Sequence, residues 1–157
     1  MMLAGFLFSQ YVAFAGEAKT TLFVLERTTN KNQLIYERIN NGKVEIHPYW
    51  QMLATDGHLE ELNSYERNKV YGTVVSERDG SAQFIIKALP SYPFRVMAGD
   101  SFATMNLLGK DRAVKRVFIH ASSGLMPAIT FIDIECEDAH VRLTSEAGNK
   151  WSEKLLP

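Results

Sequence analysis

From Thr21 to Glu137 the sequence alternates short runs rich in Val, Ile, Phe, Tyr and Thr with clusters of Asn, Gly, Asp and Pro. Such runs favour β-strands, and such clusters are typical of the turns between them. The strongest turn signal is Asn40-Asn41-Gly42, because Asn-Gly suits the tight turn of a hairpin. About nine strands joined by mostly short turns predict a single all-β, mainly antiparallel domain, either a β-barrel or a β-sandwich.

Three further features predict where a strand ends, where a helix lies and where the domain stops. Pro48 is expected to end the third strand, since proline has no N–H to donate to the ladder. Leucines at helical spacing after the turn at Asp56-Gly57 predict one short helix near residues 58–68. The β-rich domain is expected to span residues 16–144, and the mostly polar segment 145–157 is expected to be a flexible C-terminal tail.

The N-terminal segment has the character of a leader. Residues 1–15 carry no charged side chain and end in Ala13-Phe14-Ala15, the small-x-small pattern that signal peptidase cleaves. The segment is shorter than the roughly 20 apolar residues of a membrane-spanning helix, so a cleaved signal peptide is predicted rather than a permanent membrane span. An apolar N-terminal helix packed on the domain is the alternative. The missing Lys or Arg before the apolar segment leaves open a start upstream of Met1.

A processed leader would place the mature domain, beginning near Gly16, in the periplasm or outside the cell.

The balanced charge argues against nucleic acid as a partner. The chain has 17 Lys plus Arg against 18 Asp plus Glu and a net charge of -1, so no basic patch for nucleic acid is expected. Nine Phe, six Tyr and two Trp are enough to build a core, which excludes disorder over most of the length. The oligomeric state stays open.

The sequence lacks the familiar catalytic and cofactor motifs. It contains no Gly-rich nucleotide loop, no His-Glu-x-x-His and no Gly-x-Ser-x-Gly. A single cysteine, Cys136, excludes an intramolecular disulfide and a cysteine-based zinc site. The spacing of the four histidines matches no known pattern of metal ligands. They are His47, His58, His120 and His140. We therefore expect neither a metal nor a cofactor, and an enzyme is not favoured.

Cys136 and His120 are expected on neighbouring strands, which raises the question of a nucleophilic Cys-His pair. The residues around Cys136, Asp133-Ile134-Glu135-Cys136-Glu137, do not match the Ser-x-Gly-Cys-x-Arg pattern of exported cysteine transpeptidases. Cys136 alternates with Ile132 and Ile134, so a buried, inert thiol is the favoured interpretation.

Charged residues interrupt several apolar strand faces. Glu26 is expected beside apolar neighbours on the first strand, and Lys87 beside apolar neighbours on a later one. Burying such a charge without a partner costs several kcal/mol. One interpretation is a polar pocket inside the domain, shared with Arg95 and the pair Glu66-Arg67. The other is a set of edge and surface ion pairs, which are common.

His47-Pro48-Tyr49-Trp50 places an imidazole, a fixed bend and two large rings in four residues. Tyr and Trp combine an apolar body with a polar tip. The cluster therefore fits either the mouth of a binding site or a packed corner of the core.

A series of short motifs extends through the domain: Glu26-Arg27, Asn30-Lys31-Asn32, Tyr36-Glu37, Tyr49-Trp50, Asp56-Gly57, Glu61-Leu62, Glu66-Arg67 and Tyr71-Gly72. The series resembles a family of bacterial and plant domains of unknown function, over roughly residues 21–138. The resemblance implies a shared β-rich domain and no particular activity, substrate or cofactor. It also singles out Trp50, Glu66, Arg67, Lys69 and Tyr71 as one constellation.

Three functional hypotheses follow. The leading one is an exported, non-enzymatic domain that binds a small molecule or an envelope component. The candidate ligand-binding residues are Tyr49, Trp50, Glu66, Arg67, Lys69, Tyr71, Lys87 and Arg95. The second is an envelope hydrolase or transferase that uses Glu66 as general acid or base beside Arg67 and Tyr71, with His120 as another candidate. The third is a structural or interaction module whose strand edges recruit a partner chain.

Overall fold

The computed structural model describes residues 19–28, 30–40, 44–67, 73–78, 81–97, 99–122, 125, 128–146 and 150–157. The predicted signal peptide, the Asn41-Gly42 turn, Lys69 and Tyr71 lie outside these residues. Within the described ranges, no helix has the length and apolar character needed to cross a membrane.

The all-β prediction is confirmed, and the described chain contains twelve strands where about nine were expected. They are β1 (Lys19–Arg27), β2 (Asn30–Asn40), β3 (Val44–Gln51), β4 (Leu59–Glu61), β5 (Thr73–Arg78), β6 (Ser81–Ile85), β7 (Phe94–Val96), β8 (Ala103–Leu107), β9 (Lys110–Ala121), β10 (Ile129–Cys136), β11 (His140–Glu146) and β12 (Lys150–Leu156). All twelve strands belong to one mixed sheet that is not closed into a barrel.

The sheet branches at β9. One path has the order β4-β3-β2-β1-β9-β8-β7-β6-β5, and β10, β11 and β12 continue from β9 on a separate path. Val114 pairs with Ala103 of β8 and with Cys136 of β10, so β8 and β10 lie on opposite edges of β9. β1 pairs with β9 in parallel along residues 116–119, which also pair with β10. Consequently β1 and β8 share one edge of β9, and the sheet splits there into two arms, one formed by β1–β4 and the other by β5–β8.

A bulge in β9 lies where its partner changes from β8 to β1. Val114 and Val117 are both buried, although regular alternation would place them on opposite faces. The register with β10 shifts at this point, between Glu135 and Cys136, which marks an extra residue around Lys115. Both halves of β9 therefore direct apolar side chains into one core.

An aromatic stack joins the two arms face to face. Phe23 of β1 lies 4.5 Å, ring centre to ring centre, from Tyr36 of β2 and 4.5 Å from Phe94 of β7. Phe94 in turn lies 4.9 Å from Phe84 of β6. All four rings are buried and nearly parallel. The arms thus pack as the two layers of a sandwich do, although β9 keeps them in one sheet.

Two local predictions were wrong around β3. The strand does not end at Pro48: it continues to Gln51, and Pro48 pairs with Tyr36 of β2. β4 pairs with β3 only from residue 49 onward, so Pro48 lies beyond the end of β4, where the missing N–H is tolerated. Of the expected helix near 58–68, Leu59–Glu61 form β4. In the described part of that range, residues 58–67, a helical turn is present at residues 64–67.

The C-terminal segment also differs from expectation. Instead of a flexible tail, Lys150–Leu156 form β12, which pairs with β11 over all seven residues. Trp151 is half-buried and packs against the core. The segment is ordered because it satisfies the hydrogen bonds of the β11 edge and covers apolar surface with a large ring.

Cys136 is buried as expected, and burial raises the pKa of its thiol to about 11. At pH 8 that pKa leaves a thiolate fraction of roughly one in a thousand. We predict that the folded protein fails to react with a thiol-specific reagent such as Ellman's reagent at pH 8, and that denaturation releases one reactive thiol per chain. Rapid labelling of the folded protein would contradict the burial of this strand.

Candidate functional site

The charged strand residues do not form one internal network. A bulge in β1 places both Leu22 and Phe23 in the core, which leaves Glu26 on the outer face of the sheet. There Nη1 of Arg116 donates to Oε1 of Glu26 at 3.0 Å. Lys87 is exposed in the turn after β6. For Glu26 the structure therefore matches the surface-pair interpretation.

Trp50 lies in a depression of about 350 Å³ between β2, β3 and the segment that follows β4. Its lining residues are Asn30, Asn32, Trp50, Met52, Glu60, Glu61, Asn63 and Glu66. Tyr49 precedes Trp50 on β3 and is half-buried. The structure thus brings together two of the predicted site residues, Trp50 and Glu66. We call this depression the Trp50 cleft.

Glu66 and Arg67 hold the helical turn together. The N–H of Asn63 donates to Oε2 of Glu66 at 3.0 Å, and the N–H of Glu66 donates to Oδ1 of Asn63 at 2.9 Å. This reciprocal pair is a capping box. Nη2 of Arg67 donates to the carbonyl of Leu62 at 3.4 Å. Both side chains therefore have local structural partners, and one oxygen of the Glu66 carboxylate is already engaged.

The loop between β3 and β4 carries an exposed histidine between two acids. One ring nitrogen of His58 contacts Asp56 and the other lies 2.7 Å from Oε1 of Glu60. Hydrogen bonding to Asp56, then to Glu60, raises the pKa of His58 above 6.5, and the contact with His58 lowers the pKa of Asp56 to about 2. His58 and Asp56 are therefore both charged, and attract each other, at pH values between these two pKa values.

We predict that NMR titration of the His58 ring gives a pKa above 6.5 and that Asp56→Asn lowers it more than Glu60→Gln does. The sign is fixed by linkage: a raised histidine pKa adds stability below the unfolded-state pKa, and this is lost as pH rises through the folded-state pKa. Both groups are solvent-exposed, so the effect on unfolding is small. A His58 pKa at or below 6.5 in the unmutated protein would contradict this contact.

A second depression, of about 530 Å³, has its floor on the outer face of β6, β7, β8 and the start of β9. The floor side chains face each other across the strands. Gln83 pairs with Arg95, Arg95 pairs with Thr104, and Asn106 pairs with Asp111. The alternate residues of these strands, such as Phe84, Phe94 and Met105, face the core. Arg95 is thus the predicted site residue that this depression contains.

The walls of this depression come from two other segments. The turn before β7 contributes Ser91, Tyr92 and Pro93, and β12 contributes Lys150, Trp151 and Glu153. Oε1 of Glu153 accepts a hydrogen bond of 2.9 Å from the N–H of Leu108, in the turn between β8 and β9. This bond fixes β12 beside the floor strands. We call the depression the Trp151 cleft.

The Trp151 cleft contains hydrogen-bond donors and acceptors that a ligand could use. Within the described ranges, the side-chain N–H groups of Gln83, Arg95, Lys150 and Trp151 have no hydrogen-bond partner. Asp111 accepts one bond, from Asn106 Nδ2 at 3.1 Å. Partial burial and the nearby Glu153 carboxylate raise the pKa of Tyr92. The cleft can therefore both donate to and accept from a polar ligand.

A third depression, of about 400 Å³, lies on the outer face of β1, β9 and β10. His120 packs against Phe131, with ring centres 3.8 Å apart, and the guanidinium of Arg142 lies 3.8 Å from the Phe131 ring centre. Arg142 also donates twice to Asp133, at 2.7 and 2.9 Å. Three of the lining residues, Glu26, Arg116 and Asp133, are thus already engaged in ion pairs. Across the described ranges, no three His, Cys, Asp or Glu side chains group as metal ligands.

His120 and Cys136 do not form a nucleophilic pair. His120 pairs with Phe131 near the start of β10, whereas Cys136 pairs with Val114 at its end. Cys136 faces the core and His120 faces outward. Of the other predicted residues, Lys69 and Tyr71 lie outside the described residues, and Lys87 lines none of the three depressions.

The comparisons with known proteins identify a family and no function. No curated protein and no solved structure matches the chain. A family model described as Domain of unknown function (DUF4833) matches residues 23–146, which extend from β1 to the end of β11 and include the floor of the Trp151 cleft. Because this match covers most of the chain, the protein belongs to the DUF4833 family of domains of unknown function.

Proposed function

We propose that this protein is an exported binding domain that holds a small polar molecule in the Trp151 cleft. The observation that carries the proposal is the set of unpartnered donors facing that cleft, Gln83, Arg95, Lys150 and Trp151. The cleft volume of about 530 Å³ lies within the range of small-molecule sites, and such sites combine a few polar groups with aromatic walls.

Export is supported by the apolar leader and its Ala13-Phe14-Ala15 end. A single, buried thiol is also compatible with an oxidising compartment. A binding role is favoured over an enzyme that uses Glu66 as general acid or base. The Glu66 carboxylate already has a structural role in the capping box with Asn63.

Native mass spectrometry of protein expressed with its leader and purified from the envelope fraction tests both parts. We expect a chain that starts near Gly16 and carries a reproducible additional small-molecule mass. A processed chain with nothing bound would overturn binding, and an unprocessed chain would overturn export.

Two basic residues of the same arm provide a matched comparison. Arg95→Ala removes a donor from the cleft floor, and we expect the bound fraction to fall about tenfold, as loss of a charged hydrogen-bond donor typically does. Lys87→Ala removes an exposed charge that lies outside the cleft and should leave the bound fraction unchanged. Equal effects of the two substitutions would argue against the Trp151 cleft as the site.

A further inference from the structure

The charges of the Trp151 cleft are balanced. Arg95 and Lys150 bring two positive groups, and Asp111 and Glu153 bring two carboxylates. The four charges sum to zero, so for a ligand with a net charge the attraction of one pair is opposed by the repulsion of the other. A neutral ligand avoids either repulsion, and it can use both the positive donors and the negative acceptors.

The aromatic wall requires apolar surface on the same ligand. Trp151 packs partly against the core and also lines the cleft. Tyr92 lines the cleft as well. Aromatic rings gain most from contact with apolar groups that lie flat against them. The ligand therefore needs an apolar face and a polar edge.

We propose that the Trp151 cleft binds a neutral saccharide, an assignment that rests on the proposed function. A pyranose ring has a face of C–H groups, which stacks on Trp151, and an edge of hydroxyls, each able to donate and to accept. Arg95 and Gln83 donate to these hydroxyls from the floor. Asp111 accepts from them, held in place by its bond from Asn106.

Tryptophan fluorescence locates the binding event. The chain has two tryptophans, so Trp50→Phe leaves Trp151 as the reporter and Trp151→Phe leaves Trp50. We expect at least one of glucose, maltose, cellobiose and diacetylchitobiose to change Trp151 fluorescence with half-saturation below about 10 mM. The same sugar should leave Trp50 fluorescence unchanged, and Asp111→Ala should weaken binding about tenfold.

Charged analogues test the ligand class. Glucose 6-phosphate and glucosamine should bind Trp50→Phe at least about tenfold more weakly than the preferred neutral sugar. Saturation-transfer NMR on the unmutated chain with the same sugars provides a readout that needs no tryptophan substitution. Tighter binding of a charged analogue would overturn the saccharide assignment.

A second titration separates the two proposals. Small molecules released by denaturing the envelope-purified protein are added to Trp50→Phe. If they change Trp151 fluorescence and no neutral sugar does, the saccharide assignment fails and the proposed function stands. If neither the released molecules nor the sugars give a response, both proposals fail.

Discussion

Phe23→Ala is expected to lower the free energy of unfolding by roughly 3–5 kcal/mol. Phe23 is 1% exposed and its ring contacts Tyr36, Phe84 and Phe94, so the substitution opens a cavity at the contact between the two arms. Loss of the ring pairs adds to the cost of the cavity. Urea unfolding followed by circular dichroism measures the change.

Phe118→Ala is the matched control for this prediction. Phe118 lies half-buried on the outer face of β9 beside His120, away from the stack that joins the arms. We expect that substitution to cost about 1 kcal/mol. A loss at Phe23 no greater than the loss at Phe118 would contradict the packing of β1 and β2 against β6 and β7.

A chain that ends at Asn149 is expected to be less stable by roughly 3–5 kcal/mol, because it loses the backbone pairing of β12 and the packing of Trp151. β12 pairs with β11 from Lys150 to Leu156, and the truncation exposes the β11 edge. It also removes one wall of the Trp151 cleft, so ligand binding should be lost. Thermal and urea unfolding measure the first effect.

Leu155→Ser controls for a general effect of changing the C-terminus. Leu155 is 57% exposed, and its substitution should change the unfolding free energy by less than about 0.5 kcal/mol. If the truncated chain unfolds at the same urea concentration as the full chain, residues 150–157 act as a tail and not as a strand.

The fold class could be predicted because alternation of apolar and polar residues is a local signal. In β10 the alternation from Ile132 to Cys136 gave the correct buried face. β12 lacks this signal, because the charged Glu153 lies between Trp151 and Leu155 on one face and Ser152 and Lys154 are polar on the other. One large ring among charged and polar residues predicts a tail, and it is the long-range pairing with β11 that makes the segment a strand.

Bulges explain why the sequence alone does not show which face of the sheet a charged strand residue lies on. A single extra residue moves all following side chains to the other face. In β1 the extra residue is Leu22, which joins Phe23 in the core and leaves Glu26 outside. Nothing in the alternation of that strand marks the bulge, because Leu22, Phe23, Val24 and Leu25 are all apolar.

The candidate site could be predicted only in part, because it depends on which strands become neighbours. Arg95 is a candidate as a charged residue that could share a polar pocket, and it lies on the cleft floor. Asn106 and Asp111 lie on either side of the short turn between β8 and β9 and pair directly across it. Trp151 reaches the same cleft through β11 and β12, a long-range arrangement that no local motif encodes.

The most direct test of ligand binding in the Trp151 cleft is a nitrogen-15 NMR titration of the two indole N–H signals. The signals are assigned with Trp50→Phe and Trp151→Phe, and the titrant is the small-molecule fraction released from the envelope-purified protein. We predict that the Trp151 signal shifts in a saturable way while the Trp50 signal stays in place. A shift of the Trp50 signal alone, or of neither signal, would contradict the account.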